Sequence, residues 1–159
     1  MMPAATHHIG LTVADLERSA GFWSALLGVT PGPVEQLRGP QLGRLVGYPS
    51  VCIDRRWLTL PGGPSLELLQ YLEPDEAGYE TGTAHPGNVH VCLAVDDLPS
   101  AHAHAEACGA VPVTGGGWIE VPAGPQAGAR IAYLRDPDGV TIELFQPRHQ
   151  PASTGTAEG

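Results

Sequence analysis

Two histidines and two glutamates occupy matched positions in this 159-residue sequence. His8 and His90 lie 82 residues apart, and each opens a segment in which strongly apolar residues alternate with smaller ones. Glu67 and Glu143 lie 76 residues apart, and each is a lone carboxylate between apolar neighbours. Taken singly, each residue suits an ordinary strand position. Together, two imidazoles and two carboxylates form a donor set that borderline to hard divalent ions accept, so the four residues predict a metal site.

The strands that carry these residues decide where their side chains point. Successive strand residues face opposite sides of a sheet, so His8 and His90 are expected on the face opposite the apolar residues that come after them. Cys92 shares the face of His90 by the same parity. Glu67 and Glu143 are expected to point away from the apolar side of their own strands. The apolar sets are Ile9, Leu11 and Val13 in the first strand and Val91, Leu93 and Val95 in the second.

A helix is predicted after each histidine-bearing strand. Asp15 and Asp97, again 82 residues apart, are suited to cap the N-termini of these helices, and Gly28 and Gly109 are suited to end them. Residues 30–49 are rich in Gly and Pro and predict an irregular segment or an edge strand. The chain is therefore expected to contain two copies of one unit.

The remaining pattern predicts strands in both copies. Strands are expected over 51–60 and 65–71 in the first copy, and over 118–121, 129–134 and 140–146 in the second. The predicted fold class is α+β, with two βαβββ modules over 7–72 and 88–147 that make one domain, 7–147. Residues 73–87 are predicted to be a linker and residues 148–159 a disordered tail.

Composition excludes several classes of function. The formal net charge is −9 and the sequence pI about 5.0, which disfavours nucleic acid as a partner. The chain contains no lysine, so Schiff-base chemistry is excluded. No apolar run approaches the roughly 20 residues of a membrane helix, and no secretory signal is present, so a cytoplasmic protein without membrane contact is expected. The three cysteines suit free thiols in a reducing compartment.

Three motifs resemble those of the vicinal oxygen chelate superfamily. They begin at His8 with the downstream Asp15-Leu16, at His90 with Asp96-Asp97, and at Asp136-Pro137-Asp138-Gly139 with the strand that carries Glu143. That superfamily includes glyoxalase I, methylmalonyl-CoA epimerase, extradiol dioxygenases and bleomycin- or fosfomycin-resistance proteins. The resemblance implies paired βαβββ modules around a divalent metal ion (Zn, Ni, Co, Mn or Fe). It matches the metal ligands to His8, Glu67, His90 and Glu143, and His7 is expected to point to the other face.

The resemblance implies a protein that acts on or binds a small molecule, with an enzyme as the first choice and three alternatives for its function. The first is proton transfer next to a carbonyl by a lyase or isomerase, in which Glu67 and Glu143 are catalytic. The second is an Fe(II) extradiol-type dioxygenase, which would use His8, His90 and Glu143 with Tyr133. The third is an antibiotic-sequestering resistance protein. A homodimer suits all three.

Two further expectations concern the surroundings of the site. The extra carboxylate of methylmalonyl-CoA epimerases has no match within residues 38–53, and Glu35, the nearest acid, is expected to be poorly placed. Four ring-bearing residues are candidates to line the cleft: Tyr48, Trp57, Tyr79 and His85.

Overall fold

A computed structural model describes residues 5–76, 78, 80–113, 115 and 117–148. The fold is α+β, as the sequence predicts. The first half contains β1 (His8–Thr12), α1 (Leu16–Leu27), β2 (Glu35–Arg38), α2 (Pro40–Val46), β3 (Cys52–Thr59) and β4 (Ser65–Glu73). The second half contains β5 (His90–Ala94), α3 (Leu98–Ala107), β6 (Val111–Pro112), β7 (Ile119–Glu120), β8 (Arg130–Arg135) and β9 (Thr141–Gln146). Tyr79 and the expected tail from residue 149 onward lie outside the described residues.

The chain forms two compact units. The first runs to Asn88 and also includes Asp136–Val140, and the second comprises Val89–Arg135 and the chain from Thr141 onward. None of the helices in the described part of the chain is long and apolar enough to cross a membrane.

The first unit is built on a four-stranded sheet in the order β1-β4-β3-β2. β1 pairs with β4 in parallel, and the other pairs are antiparallel. Asp15 caps α1 by accepting from the backbone N–H of Arg18, and Gly28 ends it at φ 67°. The core lies between α1 and one sheet face, and its buried side chains include Leu11, Trp23, Leu58, Leu66 and Leu68.

The second unit repeats this arrangement. Its sheet has the order β5-β9-β8-β6, with β7 also paired to β8, and β5 again runs parallel to its neighbour β9. Asp97 caps α3, and Gly109, at φ 105°, lies just beyond the end of that helix. The buried side chains include Val91, Leu98, Leu134, Ile142 and Leu144. The predicted alternation is therefore confirmed in both units, with the apolar sets of β1 and β5 turned inward.

The helix α2 was not expected within the segment 30–49. Pro40 occupies its first turn, where a missing N–H costs nothing, and Gly47 ends it at φ 84°. Position 43, inside the helix, requires glycine because a Cβ there would stand 2.5 Å from the carbonyl oxygen of Tyr48. A seven-residue helix with an internal glycine has too little apolar periodicity to be recognised from sequence.

The turn between β8 and β9 belongs to the first unit through its contacts with α1. The Asp136 side chain is buried and accepts from the indole N–H of Trp23 at 3.2 Å. It also accepts from the backbone N–H groups of Asp138 and Val140 at 2.9 and 2.8 Å. Burial raises the pKa of Asp136 above its ordinary value, although these three donors oppose the shift. The motif Asp136-Pro137-Asp138-Gly139 thus fastens its turn to a helix.

Candidate metal centre

In the first unit, His8 and Glu67 meet across the parallel pair β1 and β4. The register sets His8 opposite Ser65 and Gly10 opposite Glu67, so the two side chains lie diagonally on one face. The Nε2 atom of His8 is 3.2 Å from Oε2 of Glu67. The imidazole is 40% exposed, whereas the carboxylate side chain is 12% exposed. A largely buried carboxylate, Glu67, and a more exposed imidazole, His8, therefore share this face of the sheet.

The second unit reproduces the same pair at the same register. His90 stands opposite Thr141 and Cys92 opposite Glu143. The Nε2 atom of His90 is 2.9 Å from Oε2 of Glu143. Side-chain exposures of 46% and 13% match those of the first pair closely. The sequence repeat thus produces two equivalent histidine–glutamate pairs.

The pairs fit a divalent ion in both chemistry and spacing. Metal–N and metal–O bonds of about 2.0–2.2 Å place two neighbouring ligand atoms roughly 3 Å apart, as the paired atoms already are. Each imidazole can offer Nε2 and each carboxylate Oε2. Among the described residues, no group of three or more His, Cys, Asp or Glu side chains is placed to hold a metal ion, and the contacts seen in each unit join one of these histidines to one of these glutamates. Joint coordination by all four residues remains a prediction.

The surroundings of His8 differ from the sequence expectation for His7. His7 does not turn away, because its Nδ1 lies 2.8 Å from Nδ1 of His8 and its ring lies 6.3 Å from that of Trp57. The ring of Trp57 in turn stands edge-on to His8 at 5.4 Å. His7 precedes β1, so strand parity did not apply to it. His7 thus contacts Nδ1 of His8, which is the ring nitrogen left over if Nε2 of His8 binds a metal.

Glu67 has a second partner, an arginine, that the sequence prediction missed. Nη1 of Arg55 donates to Oε1 of Glu67 at 3.2 Å, and Arg55 also donates through Nε and Nη2 to Glu35. Hydrogen bonds from Arg55 to Glu35, with a smaller contribution from Glu67, raise the pKa of Arg55 above its ordinary value. One guanidinium therefore separates Glu35 from Glu67, a connection that the sequence did not predict. Parity along β3 could have found Arg55, which lies two residues before Trp57.

Tyr133 lies directly beside the second pair. It stands opposite Glu143 in the β8–β9 register, and its ring is 5.6 Å from that of His90. Burial, followed by the negative charge of Glu143, raises the pKa of the Tyr133 phenol above its ordinary value. Burial and Glu143 likewise raise the pKa of the Cys92 thiol. Both groups are thus kept protonated next to the carboxylate, and Trp57 takes the position of Tyr133 in the first unit.

The other suggested cleft residues are spread over the first unit. Tyr48 contacts Tyr71 with a ring separation of 6.1 Å, and it borders a pocket of about 530 Å³ along α2. None of the four predicted metal ligands lines that pocket. His85 is exposed in the segment between β4 and β5, 3.8 Å from Glu80. Of the three candidates that the structure describes, Trp57 is the one with a recorded contact to a predicted ligand.

Each of the two units has a sheet in which a histidine–glutamate pair stands at the same register, and this repeat indicates the class of this protein. Residues 7–133 match the sequence model of the Glyoxalase/Bleomycin resistance protein/Dioxygenase superfamily, and the chain belongs to that family.

Relatives and solved structures agree with this membership. The chain is 30% identical over 153 residues to a lactoylglutathione lyase of Haemophilus influenzae, covering 93% of this chain and 96% of the relative. It is 28% identical over 144 residues to a 2-epi-5-epi-valiolone epimerase of Actinomyces, covering 89% and 78% respectively. A glyoxalase family protein from Bacillus cereus shares the fold with a TM-score of 0.78 at 20% identity, covering 94% of this chain and 97% of that one.

Proposed function

We propose that this protein is a divalent-metal-dependent lyase or isomerase that moves a proton at the carbon next to a carbonyl of a small molecule. The observation that carries the proposal is the repetition of one histidine–glutamate pair at identical register in both sheets. Relatives named as a lyase and as an epimerase support a proton-transfer reaction.

Each residue has a role that its surroundings suggest. His8, Glu67, His90 and Glu143 would hold one ion, Zn, Ni, Co, Mn or Fe, with the two pairs drawn from one chain or from two copies in a homodimer. A bound ion would act as a Lewis acid towards the substrate oxygens and so ease loss of the adjacent proton. A glutamate carboxylate would accept and return that proton. Tyr133, with its raised pKa, would donate a hydrogen bond beside Glu143.

An Fe(II) extradiol-type dioxygenase is the second candidate. It is favoured by the placement of Tyr133 directly opposite Glu143. The matched position of Glu67 counts against it, because a site with two histidines and one glutamate does not require that carboxylate. The first candidate therefore uses more of the observed residues.

The proposal is tested by measuring the metal content of the protein together with its oligomeric mass. Protein purified without oxygen or added metal would be separated by size exclusion with light scattering, and its metal determined by elemental analysis. We expect a dimer of 16.6 kDa chains with near-stoichiometric Zn, Ni, Co or Mn. Glu67→Ala should lose most of this metal. Glu120→Ala, which removes an exposed carboxylate of β7, should keep it.

The outcomes separate the two candidates. Iron that persists in Glu67→Ala would favour the dioxygenase. Protein that neither retains nor takes up a divalent ion would contradict both enzymes.

A further inference from the structure

The two glutamates have equivalent positions but different partners. The carboxylate of Glu67 has two partners, with Oε2 close to the His8 imidazole and Oε1 at the Arg55 guanidinium. The carboxylate of Glu143 is paired with His90, and the residues opposite Glu143 in the sheet are Cys92 on β5 and Tyr133 on β8. Among the described residues, an arginine contacts the carboxylate of the first pair, whereas the recorded partner of the second carboxylate is a histidine.

Arg55 is itself held in place before any ligand binds. It lies directly opposite Glu35 in the β2–β3 register, and its Nε donates to Oε2 of Glu35 at 3.2 Å. Nη2 donates to the same oxygen, and the guanidinium lies 5.0 Å from the ring centre of Trp57. The arginine side chain is 24% exposed. A planar guanidinium that is held along its Nε–Nη2 edge and lies over the Trp57 ring presents Nη1 to Glu67 in a defined direction.

The second unit shows which residue occupies the position equivalent to Arg55. Arg55 lies opposite Leu69 on β4, two residues before Trp57, which is opposite Glu67. In the second unit, Ile131 lies opposite Phe145 on β9, two residues before Tyr133, which is opposite Glu143. Ile131 is therefore the equivalent residue, and an isoleucine cannot donate to a carboxylate. The chain provides its own natural replacement for the arginine.

We propose that Arg55 is a positioning residue that holds Oε1 of Glu67, so that Glu67 serves as a one-oxygen metal ligand through Oε2. This inference rests on the proposed function, because it assigns the manner in which one predicted ligand binds. The bond from Arg55 is charge-assisted, and it occupies the oxygen that a carboxylate would need in order to bind an ion with both atoms. Glu35 completes the arrangement by fixing Arg55.

The test compares Arg55→Ile with the natural protein by two readouts that do not require a substrate. Affinity for Zn²⁺ would be measured by competition with a chromophoric chelator, and the ligand set by the visible absorption of the Co²⁺-loaded protein. Loss of a hydrogen-bonding partner of a metal ligand typically weakens metal binding about 10–100-fold, and we expect a loss in that range. The Co²⁺ spectrum should also change, because Glu67 would be released to bind with both oxygens.

Three further variants define the cause. Arg56 is a neighbouring arginine that pairs with Glu17 and lies on the sheet face of the buried Leu68, opposite to the face of Glu67. Arg56→Ala should therefore leave both readouts unchanged. Arg55→Lys keeps a charge but not the planar fork, so it should not restore the natural Co²⁺ spectrum. Glu35→Gln leaves Arg55 in place but weakens its support, so it should shift both readouts in the same direction by a smaller factor. Because Glu35 is 43% exposed, this last variant should fold even if Arg55→Ile does not.

The possible failures are distinguishable. If the natural protein binds neither Zn²⁺ nor Co²⁺, the proposed function fails. If the natural protein binds both ions but Arg55→Ile and Glu35→Gln bind equally well with unchanged Co²⁺ spectra, only the role of Arg55 is overturned. Tighter Zn²⁺ binding by Arg55→Ile would also overturn it, since Arg55 would then act only as a competing cation.

Discussion

Glu67 and Glu143 show how two residues at equivalent positions acquire different freedom. Glu67 has a close partner at each oxygen, His8 at Oε2 and, at Oε1, an arginine that is anchored to Glu35. Glu143 pairs with His90 and lies beside groups that carry no charge at neutral pH. A carboxylate that carries a proton must change partners during the reaction. This difference favours Glu143 for that task and Glu67 for fixed ligation.

At the same scale, His7 is expected to control which nitrogen of His8 is available. For Nε2 of His8 to bind a metal, the ring proton must lie on Nδ1, which then donates to Nδ1 of His7 across 2.8 Å. His7→Phe keeps a ring beside Trp57 but removes the acceptor. We expect Zn²⁺ binding to weaken about tenfold, the low end for such partners, because His8 is partly exposed.

Chelator competition would measure the Zn²⁺ affinity of His7→Phe, and ¹⁵N NMR would report the tautomer of His8. The natural protein should show a proton on Nδ1 of His8. Unchanged affinity together with an unchanged tautomer in His7→Phe would show that the contact has no role in ligation.

At the scale of elements, the sequence predicted the features that follow from the local alternation of apolar residues and from helix caps. It missed the features that depend on contacts between strands. The alternation from His8 to Val13 was enough to orient β1, and Asp15 with Gly28 bounded α1. The position of Glu35 could not be predicted in this way, because β2 has only four residues and its register with β3 is set by the sheet. The contact between Arg55 and Glu35 appears only once that register is known.

The turn 136–140 gives a stability prediction for one element. Asp136 is 4% exposed and accepts three hydrogen bonds, including one from the indole of Trp23. In Asp136→Asn, an amide N–H₂ would face a group that can only donate, so one buried donor loses its acceptor. A buried polar group without a partner costs about 1–3 kcal/mol. We therefore expect the unfolding free energy to fall by that amount.

Denaturant titration followed by tryptophan fluorescence would measure this loss. Asp96→Asn, an exposed position next to the cap of α3, should change stability by less than about 0.5 kcal/mol. Equal stability of Asp136→Asn and the natural protein would mean that the indole contact contributes nothing.

At the scale of the whole molecule, the charge balance favours a bound cation. The chain carries 17 acidic and 8 basic residues, and self-repulsion at a net charge of −9 destabilises a compact state. Each histidine–glutamate pair includes a carboxylate on a sheet face, and these carboxylate side chains are only 12–13% exposed. Under the proposed function, a divalent ion bound by the two pairs would offset the charge of both carboxylates, so metal occupancy should be visible in the stability of the entire chain.

Metal removal is expected to lower the unfolding temperature. A ligand that binds only the folded state stabilises it by about 2.7 kcal/mol when its free concentration is 100 times the dissociation constant. For a chain of this size, each kcal/mol corresponds to about 2–4 °C, so treatment with a chelator should lower the unfolding temperature by about 5–10 °C. Calorimetry with Zn²⁺ and with chelator measures the difference. A double variant, Glu67→Ala with Glu143→Ala, should unfold at the same temperature in both conditions. An equal shift in that variant would place the stabilising ion away from the two pairs, because neither carboxylate would then be needed to bind it.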